Sequence, residues 1–144
     1  MISNTCKTAI KATIYLCSKF DAKENVSIKE VAEFINANEH TVGKILQTLV
    51  KQNVIKSQKG PTGGFFISKK QQQQPIANIV EAIDGKGVFK SCGLGLSECS
   101  STHPCPIHND YKEARDLIEK LFKEKNVLNL CEPVNNGSAY LMDE

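Results

Sequence analysis

The stretch that decides the fold spans residues 27–68 and reads SIKEVAEFINANEHTVGKILQTLVKQNVIKSQKGPTGGFFIS. Apolar residues recur every three or four positions over 28–35 and again over 39–53, which predicts two amphipathic helices. Ser27 opens a capping box with the Glu three residues later, and Asn38 is placed to cap the second helix. Two short helices joined by a tight turn predict a helix-turn-helix.

A β-hairpin is predicted directly after these helices. Its strands cover 54–57 and 65–68, and the turn between them contains Gly60, Gly63 and Gly64. A hairpin that follows a helix-turn-helix is a wing, so the predicted fold is mainly α with a small β wing. Glycines let the backbone approach a phosphate or a narrow groove closely, and the neighbouring lysine favours the negative potential found there.

The outer face of the second helix is polar and basic, which is the pattern of a helix that reads DNA. Its members are His40, Thr41, Lys44, Gln47, Thr48 and Lys51. The tip of the wing adds Lys59. A bare helix-turn-helix pattern has many false positives, and the wing makes the prediction of DNA binding more specific.

The net charge of the chain is only +2, but the charges are unevenly distributed. Residues 1–70 contain 11 Lys, no Arg and 5 Asp or Glu, a net charge of +6. Residues 71–144 contain 6 Lys, 1 Arg and 11 Asp or Glu, a net charge of −4. This asymmetry agrees with a nucleic acid as partner of the first half, although many solvated surfaces differ by a few charges.

Periodicity predicts further helices over 5–20, 76–84 and 109–125. The KKQQQQ run at 69–74 is interpreted as a solvated connector, and the polar tail 132–144 as loosely held. The apolar residues of the last helix share one face: Tyr111, Ala114, Leu117, Ile118, Leu121 and Phe122.

The six cysteines fall into two groups. Three of them are scattered, and Cys17 among these is expected to be a small buried hydrophobe. The other three lie with a histidine inside 17 residues of a loop rich in Gly, Ser and Pro. This cysteine loop, residues 92–108, contains the candidate ligands Cys92, Cys99, Cys105 and His108.

Thiolates and imidazoles in a flexible loop are ligands for zinc or for an iron–sulfur cluster. Structural zinc sites usually contain a C-x2-4-C pair, whereas this loop has the spacing C-x6-C-x5-C, which favours an iron–sulfur cluster. Disulfide formation is disfavoured in a reducing compartment and would leave one loop cysteine unpaired. Zinc binding and thiol redox switching remain the alternatives.

Three motifs, VSIKEVAEFI, SQKGPTGGFFI and IANIVEAIDG, precede the three loop cysteines and the last helix. In this order they resemble the Rrf-two family of winged-helix transcriptional regulators, in its IscR-like and NsrR-like branches. The resemblance runs from about Thr8 to Leu130 and is most specific in the wing.

The resemblance implies a homodimer on double-stranded DNA, with the second helix in the major groove and the wing in the minor groove. The matching positions are His40, Thr41 and Lys44 on the helix and Lys59, Gly60 and Thr62 on the wing. Phosphate contacts are expected from Lys44, Lys51 and Lys59. The wing's usual Arg is Lys59 here, which keeps the charge but loses the planar fork.

The resemblance also implies an iron–sulfur cluster, two-iron two-sulfur in preference to four-iron four-sulfur. Its ligands map onto Cys92, Cys99, Cys105 and His108. The carboxylate ligand of the NsrR-like branch has no counterpart near Cys6, so that mode of ligation is not expected here.

The expected organisation is a winged helix-turn-helix DNA-binding domain over 1–70, followed by a linker helix, the cysteine loop and a dimerisation helix within 71–131, and a flexible tail over 132–144. The expected function is a repressor whose operator binding follows iron–sulfur status, nitric oxide or redox state. The alternative is a zinc-stabilised or thiol-switched DNA-binding protein. No catalytic constellation is present, no run is long enough to span a bilayer, and no signal peptide is found, so a cytoplasmic non-enzyme is expected.

Overall fold

The computed structural model describes residues 1–143, which form six α-helices, one two-stranded antiparallel sheet and one short 3-10 helix. The elements are α1 (Asn4–Ser18), α2 (Ile28–Phe34), α3 (Glu39–Lys51), β1 (Lys56–Gln58), β2 (Gly64–Phe66), the 3-10 helix (Gln71–Gln73), α4 (Ala77–Asp84), α5 (His108–Glu124) and α6 (Val127–Asn135). The expected class, mainly helical with a small β wing, is confirmed. None of the described helices is long and apolar enough to cross a membrane.

The helix-turn-helix begins at caps that the sequence predicts. The side chain of Asn38 accepts the N–H of Thr41 at 3.1 Å, and that of Ser27 accepts the N–H of Glu30 at 3.1 Å. The capping box at Ser27 is only half formed, because the Glu30 carboxylate accepts the hydroxyl of Tyr15 at 2.7 Å instead. Glu30 therefore ties α2 to α1 rather than closing its own helix.

The core forms around α1, which packs against α3, α4 and α6. Its residues from Ala12 to Cys17 are all buried. The largest fully buried side chains of the chain include Leu16, Leu46, Leu49, Ile55, Ile67 and Ile79. Burial of each such side chain stabilises the fold by about 1.5–3 kcal/mol. Because these residues come from α1, the helix-turn-helix, the base of the wing and α4, one core joins the helix-turn-helix to the later helices.

The strands of the wing lie nearer its tip than the sequence predicts. Lys56 pairs with Phe66 at the base of the hairpin, and Gln58 pairs with Gly64 at its end. The apolar residues before β1, Val54 and Ile55, are buried in the core and do not pair. Their hydrophobicity favours a strand, but burial beneath α3 decides their place.

The wing is joined to the body by a backbone bridge between Phe65 and Val26. The N–H of each residue donates to the carbonyl of the other at 2.8 Å. Gly64 has φ +148, and a Cβ there would lie 2.8 Å from the Val26 carbonyl oxygen. A side chain would therefore push the wing away from this bridge.

The glutamine run is structural, and its interpretation as a solvated connector is wrong. Gln71 and Gln72 are buried. The amide of Gln71 donates to the Asn53 carbonyl at 3.2 Å, and the amide of Gln74 donates to the Val54 carbonyl at 2.8 Å. These side chains give partners to two backbone carbonyls just beyond the end of α3, one of them on the buried Val54.

The apolar face predicted for α5 divides into two. Tyr111 and Phe122 are half-buried, and Phe122 packs edge-to-face on Phe89 with ring centroids 5.6 Å apart. Leu117 and Leu121 are exposed, Leu117 to 65%. Within one chain, α5 thus keeps an exposed apolar stripe.

The helix α6 extends into the region predicted as a tail, because residues 132–135 are helical. It packs on α1, and its Cys131 is fully buried in the core. The N–H of Ser138 donates to the Pro133 carbonyl at 2.9 Å, and Leu141 packs against the core. Burial of apolar residues therefore anchors a segment whose composition is polar.

We expect Gln71→Ala to lower the free energy of unfolding by about 1–3 kcal/mol, since it removes the hydrogen bonds of the buried Gln71 side chain with the Asn53 carbonyl and the Ser68 N–H. Gln73→Ala is the matched control, because Gln73 is exposed in the same run. The control should change stability by less than about 0.5 kcal/mol. Urea unfolding followed by circular dichroism measures both, and equal effects would contradict the structural role of Gln71.

Candidate DNA interface and cysteine loop

The outer face of α3 is exposed as predicted, with residues spaced three and four apart: His40, Thr41, Lys44, Gln47 and Lys51. Asn38 holds the first turn of the helix through Thr41. The opposite face is buried, and Gly43 lies so close to Ile28 that a Cβ would approach its Cδ1 to 3.3 Å. Close packing against α2 therefore fixes which face of α3 is presented.

The tip of the wing is exposed from Lys59 to Thr62. The side-chain amide of Asn25 donates to the Gln58 side chain and to the Thr62 carbonyl, each at 2.9 Å, and so orients the tip. Gly60 has φ +105 and no neighbour within 4 Å of a Cβ placed on it. The tip is thus held at its base and open at its end.

The face of α3 and the wing border one hollow. Its lining includes Gln47 and Val50 from α3, and Ser57, Lys59 and Phe65 from the wing. In residues 1–143 every salt bridge involves α5 residues only. The exposed lysines of α3 and the wing are therefore uncompensated by ion pairs, which suits them to phosphate groups.

The cysteine loop forms the last part of the connection from α4 to α5, and its ligand candidates are turned inward. Cys92, Cys105 and His108 are buried, and Cys99 is half-buried. His108 is the first residue of α5, and its N–H donates to the Cys105 carbonyl at 3.0 Å. The start of the helix thus carries the imidazole into the loop.

The four candidate ligands form two pairs. The Sγ of Cys99 lies 3.4 Å from the Nδ1 of His108. Cys105 neighbours Cys92 and helps to lower the pKa of the Cys92 thiol. Among residues 1–143, no three His, Cys, Asp or Glu side chains stand together in a metal-binding arrangement. The loop therefore places the four soft donors as two neighbouring pairs, Cys99 with His108 and Cys92 with Cys105.

The sulfur of Cys92 is surrounded by backbone donors. The Leu94 N–H donates to it at 3.4 Å. The N–H groups of Leu94 and Leu96 hold the pKa of the Cys92 thiol below its usual range, with further help from Cys105 and Gly95. Such a site stabilises a thiolate, the form in which cysteine binds a metal. The chemistry of the donors fits zinc or an iron–sulfur cluster.

The scattered cysteines have other surroundings. Cys6 is fully buried against Val80 and Phe89, and burial with the nearby Asp84 raises its pKa to about 12. Cys17 is buried in the main core, as expected. A neutral buried thiol is a poor metal ligand, so Cys6 has the character of a core residue.

Sequence reasoning missed Arg115, which is buried in α5 and donates from Nη1 to the Ser91 carbonyl at 2.7 Å. It is the single arginine of the chain. The sequence did offer an indication, because one arginine among 17 lysines favours a contact that needs the planar guanidinium.

A helix-turn-helix with an exposed basic face and an adjoining wing defines a winged-helix DNA-binding protein. The family profile for Rrf2, described as an iron-dependent transcriptional regulator, matches residues 2–133. The chain belongs to the Rrf2 family, whose members are DNA-binding transcriptional regulators and not enzymes.

Two relatives illustrate the similarity. An HTH-type transcriptional regulator named in Aquifex aeolicus is 28% identical over 132 residues, which cover 90% of each chain. The regulator NsrR of Geobacillus kaustophilus is 23% identical over 132 residues, 91% of this chain and 89% of its own.

Solved structures share the fold. CymR, described as the global cysteine regulator of B. subtilis, superposes with a TM-score of 0.74 at 17% identity, over 92% of this chain and 96% of its own. IscR of T. potens has a TM-score of 0.72 at 16% identity, over 97% of this chain and 92% of its own.

Proposed function

We propose that this protein is a transcriptional repressor whose binding to an operator is controlled by an iron–sulfur cluster held in the cysteine loop. The observation that carries the proposal is the inward grouping of Cys92, Cys99, Cys105 and His108 at the start of α5. Cysteine and histidine are the residue types that bind iron–sulfur centres, which supports a cluster. The similarity to relatives named NsrR and IscR is consistent with this proposal.

The division of the chain follows from this proposal. Residues 1–70 read DNA, residues 71–131 carry the cluster ligands and the dimer contact, and residues 132–144 form the tail, of which the first four continue α6. A DNA-binding regulator acts where the DNA is, so we assign it to the cytoplasm. A dimer on promoter DNA would exclude other proteins, which favours repression.

On DNA, α3 would lie in the major groove and the wing in the minor groove. His40 and Thr41 are at the exposed N-terminal end of α3, where side chains reach base edges. Lys44, Lys51 and Lys59 would bind phosphates, with Gly60 and Thr62 at the closest approach of the wing. A dimer would address two half-sites about one helical turn apart.

In the cysteine loop, the backbone N–H groups around Cys92 lower the pKa of its thiol and so favour the form that binds a metal. His108 is directed by α5, and Cys99 is the most exposed donor of the set. When bound, an iron–sulfur cluster supplies a centre that oxidants and nitric oxide alter. A two-iron two-sulfur cluster is favoured over a four-iron four-sulfur one, because a histidine stands with three cysteines.

The proximity of Cys105 to Cys92, which helps to lower the pKa of the Cys92 thiol, supports a second candidate, a thiol redox switch. An oxidant that accepts two electrons can convert two neighbouring thiols into a disulfide with release of two protons, and this needs no metal. Zinc is a further occupant that the donors would accept. The spectrum of the purified protein distinguishes these functions from the iron–sulfur proposal.

Protein purified without oxygen should absorb visible light and contain both iron and acid-labile sulfide. Cys105→Ser should remove the absorption, because it removes a ligand, whereas Cys6→Ala should keep it. Metal and sulfide analysis with an absorption spectrum decides the matter. A colourless protein with stoichiometric zinc would overturn the cluster, and a metal-free protein whose DNA binding follows thiol oxidation would support the switch.

The double variant Thr41→Ala, Lys59→Ala should bind weakly to a duplex selected by the wild type from random DNA. Loss of Lys59 should reduce the salt slope of binding by about one, and loss of Thr41 should cost about 1–3 kcal/mol of base discrimination. Fluorescence anisotropy at several salt concentrations measures both. Lys86→Ala, in an exposed loop of the acidic half, is the control, and unchanged binding by the double variant would refute the assigned surface.

Leu117→Lys should convert a dimer into a monomer, because it places a charge on the exposed apolar stripe of α5. Tyr140→Lys places the same charge at an exposed position outside α5 and should leave the dimer intact. Sedimentation equilibrium gives the mass in each case. A dimer that survives Leu117→Lys would exclude this stripe as the contact.

A further inference from the structure

We propose that Tyr111 and Arg115 form a clamp on residues 91–93, and that this clamp transmits the state of the cysteine loop to α5. The inference rests on the proposed function, because Cys92, a candidate ligand, lies at the centre of the clamped segment. Tyr111 and Arg115 are four residues apart, so they occupy one face of α5. They are positioning residues and not ligands.

The Arg115 arm of the clamp is a specific polar contact. Its side chain is only 5% exposed, and Nη1 donates to the Ser91 carbonyl at 2.7 Å. The nearest carboxylate, on Asp116, is half-exposed and lies 3.9 Å from Nη2. Among the described residues the Nε has no partner. A buried guanidinium is costly, so the bond to Ser91 strongly favours one placement of the loop.

The Tyr111 arm of the clamp is a steric contact. A Cβ on Gly93 would lie 2.7 Å from the Cγ of Tyr111 and within 2.9 Å of both Cδ atoms. The aromatic ring therefore occupies the space that any side chain at position 93 would need. The backbone on both sides of Cys92 is thus fixed to α5, by a hydrogen bond at Ser91 and by ring contact at Gly93.

The clamp joins the loop to a helix with an exposed face. Ion pairs one turn apart support α5 along its length, such as Lys112 with Asp116 at 2.8 Å and Lys123 with Glu119 at 3.4 Å. A displacement of residues 91–93 would act on α5 through both arms at once. It would move the exposed stripe at Leu117 and Leu121, the proposed dimer contact, and so change the spacing of the two DNA-reading heads.

Gly93→Ala tests the clamp, because it adds only the Cβ that meets Tyr111. Gly87→Ala is the matched control in the same connection between α4 and α5, since no atom lies within 4 Å of a Cβ there. The measured quantity is the ratio of operator affinities between cluster-loaded and cluster-free protein, which is typically about 5- to 150-fold in coupled systems. The ratio should fall towards one in Gly93→Ala and stay at the wild-type value in Gly87→Ala.

Arg115 provides a second test if Gly93→Ala fails to fold or to load a cluster. Arg115→Lys keeps a donor and a charge, whereas Arg115→Met removes both at similar length. The ratio of operator affinities should be partly retained in Arg115→Lys and should fall towards one in Arg115→Met. Both variants should show the same visible absorption, so that they carry equal amounts of cluster. A wild-type ratio in Gly93→Ala or in Arg115→Met would overturn the clamp while leaving the cluster proposal intact.

Amide hydrogen exchange on cluster-free protein decides the clamp independently of any cofactor. Alkylating the loop thiols with N-ethylmaleimide should alter exchange in residues 111–118 of the wild type and of Gly87→Ala, but not of Gly93→Ala. An α5 that does not respond in the wild type would refute the clamp. A wild type without visible absorption would instead refute the proposed cluster, and the exchange result would still apply.

Discussion

The structure depends on the satisfaction of backbone carbonyls just beyond the end of α3. The carbonyls of Asn53 and Val54 accept hydrogen bonds from the side-chain amides of Gln71 and Gln74. Val54 is buried, and a buried carbonyl without a partner is costly, so these bonds favour one placement of residues 71–74 beside the end of α3. The same run continues into Pro75, which bridges to the junction of α5 and α6. One set of hydrogen bonds thus connects the end of the helix-turn-helix to the segment that leads into the later helices.

The charge of the chain also differs between its two halves. The first half has a net charge of +6 and exposed lysines without ion pairs, while the ion pairs of the described residues lie in α5. Lysines that neutralise phosphates must remain free of carboxylates, whereas a long exposed helix gains from pairs one turn apart. The small net charge of the chain conceals these two separate requirements.

Local chemistry made several elements predictable. Asn38 and Ser27 cap their helices because a side-chain oxygen next to free N–H groups needs no distant partner. Elements that depend on distant partners were misjudged. The Glu30 carboxylate is taken by Tyr15 of α1, and Gln71 is held by residues 18 positions away. From sequence alone, a polar residue is predicted to be exposed. Only the tertiary contacts show that such a residue is buried against a hydrogen-bond partner.

The sequence alone determined the helix-turn-helix, the wing, the basic half and the four soft donors of the cysteine loop, because periodicity, caps and ligand types are local properties. The tertiary structure decided how those donors pair, which apolar residues of α5 face the core, and that the single arginine, Arg115, holds the segment around Cys92. These outcomes depend on which surfaces meet across long sequence separations. Burial of apolar area and satisfaction of hydrogen bonds determine which of these tertiary contacts form. Neither can be evaluated before the fold is known.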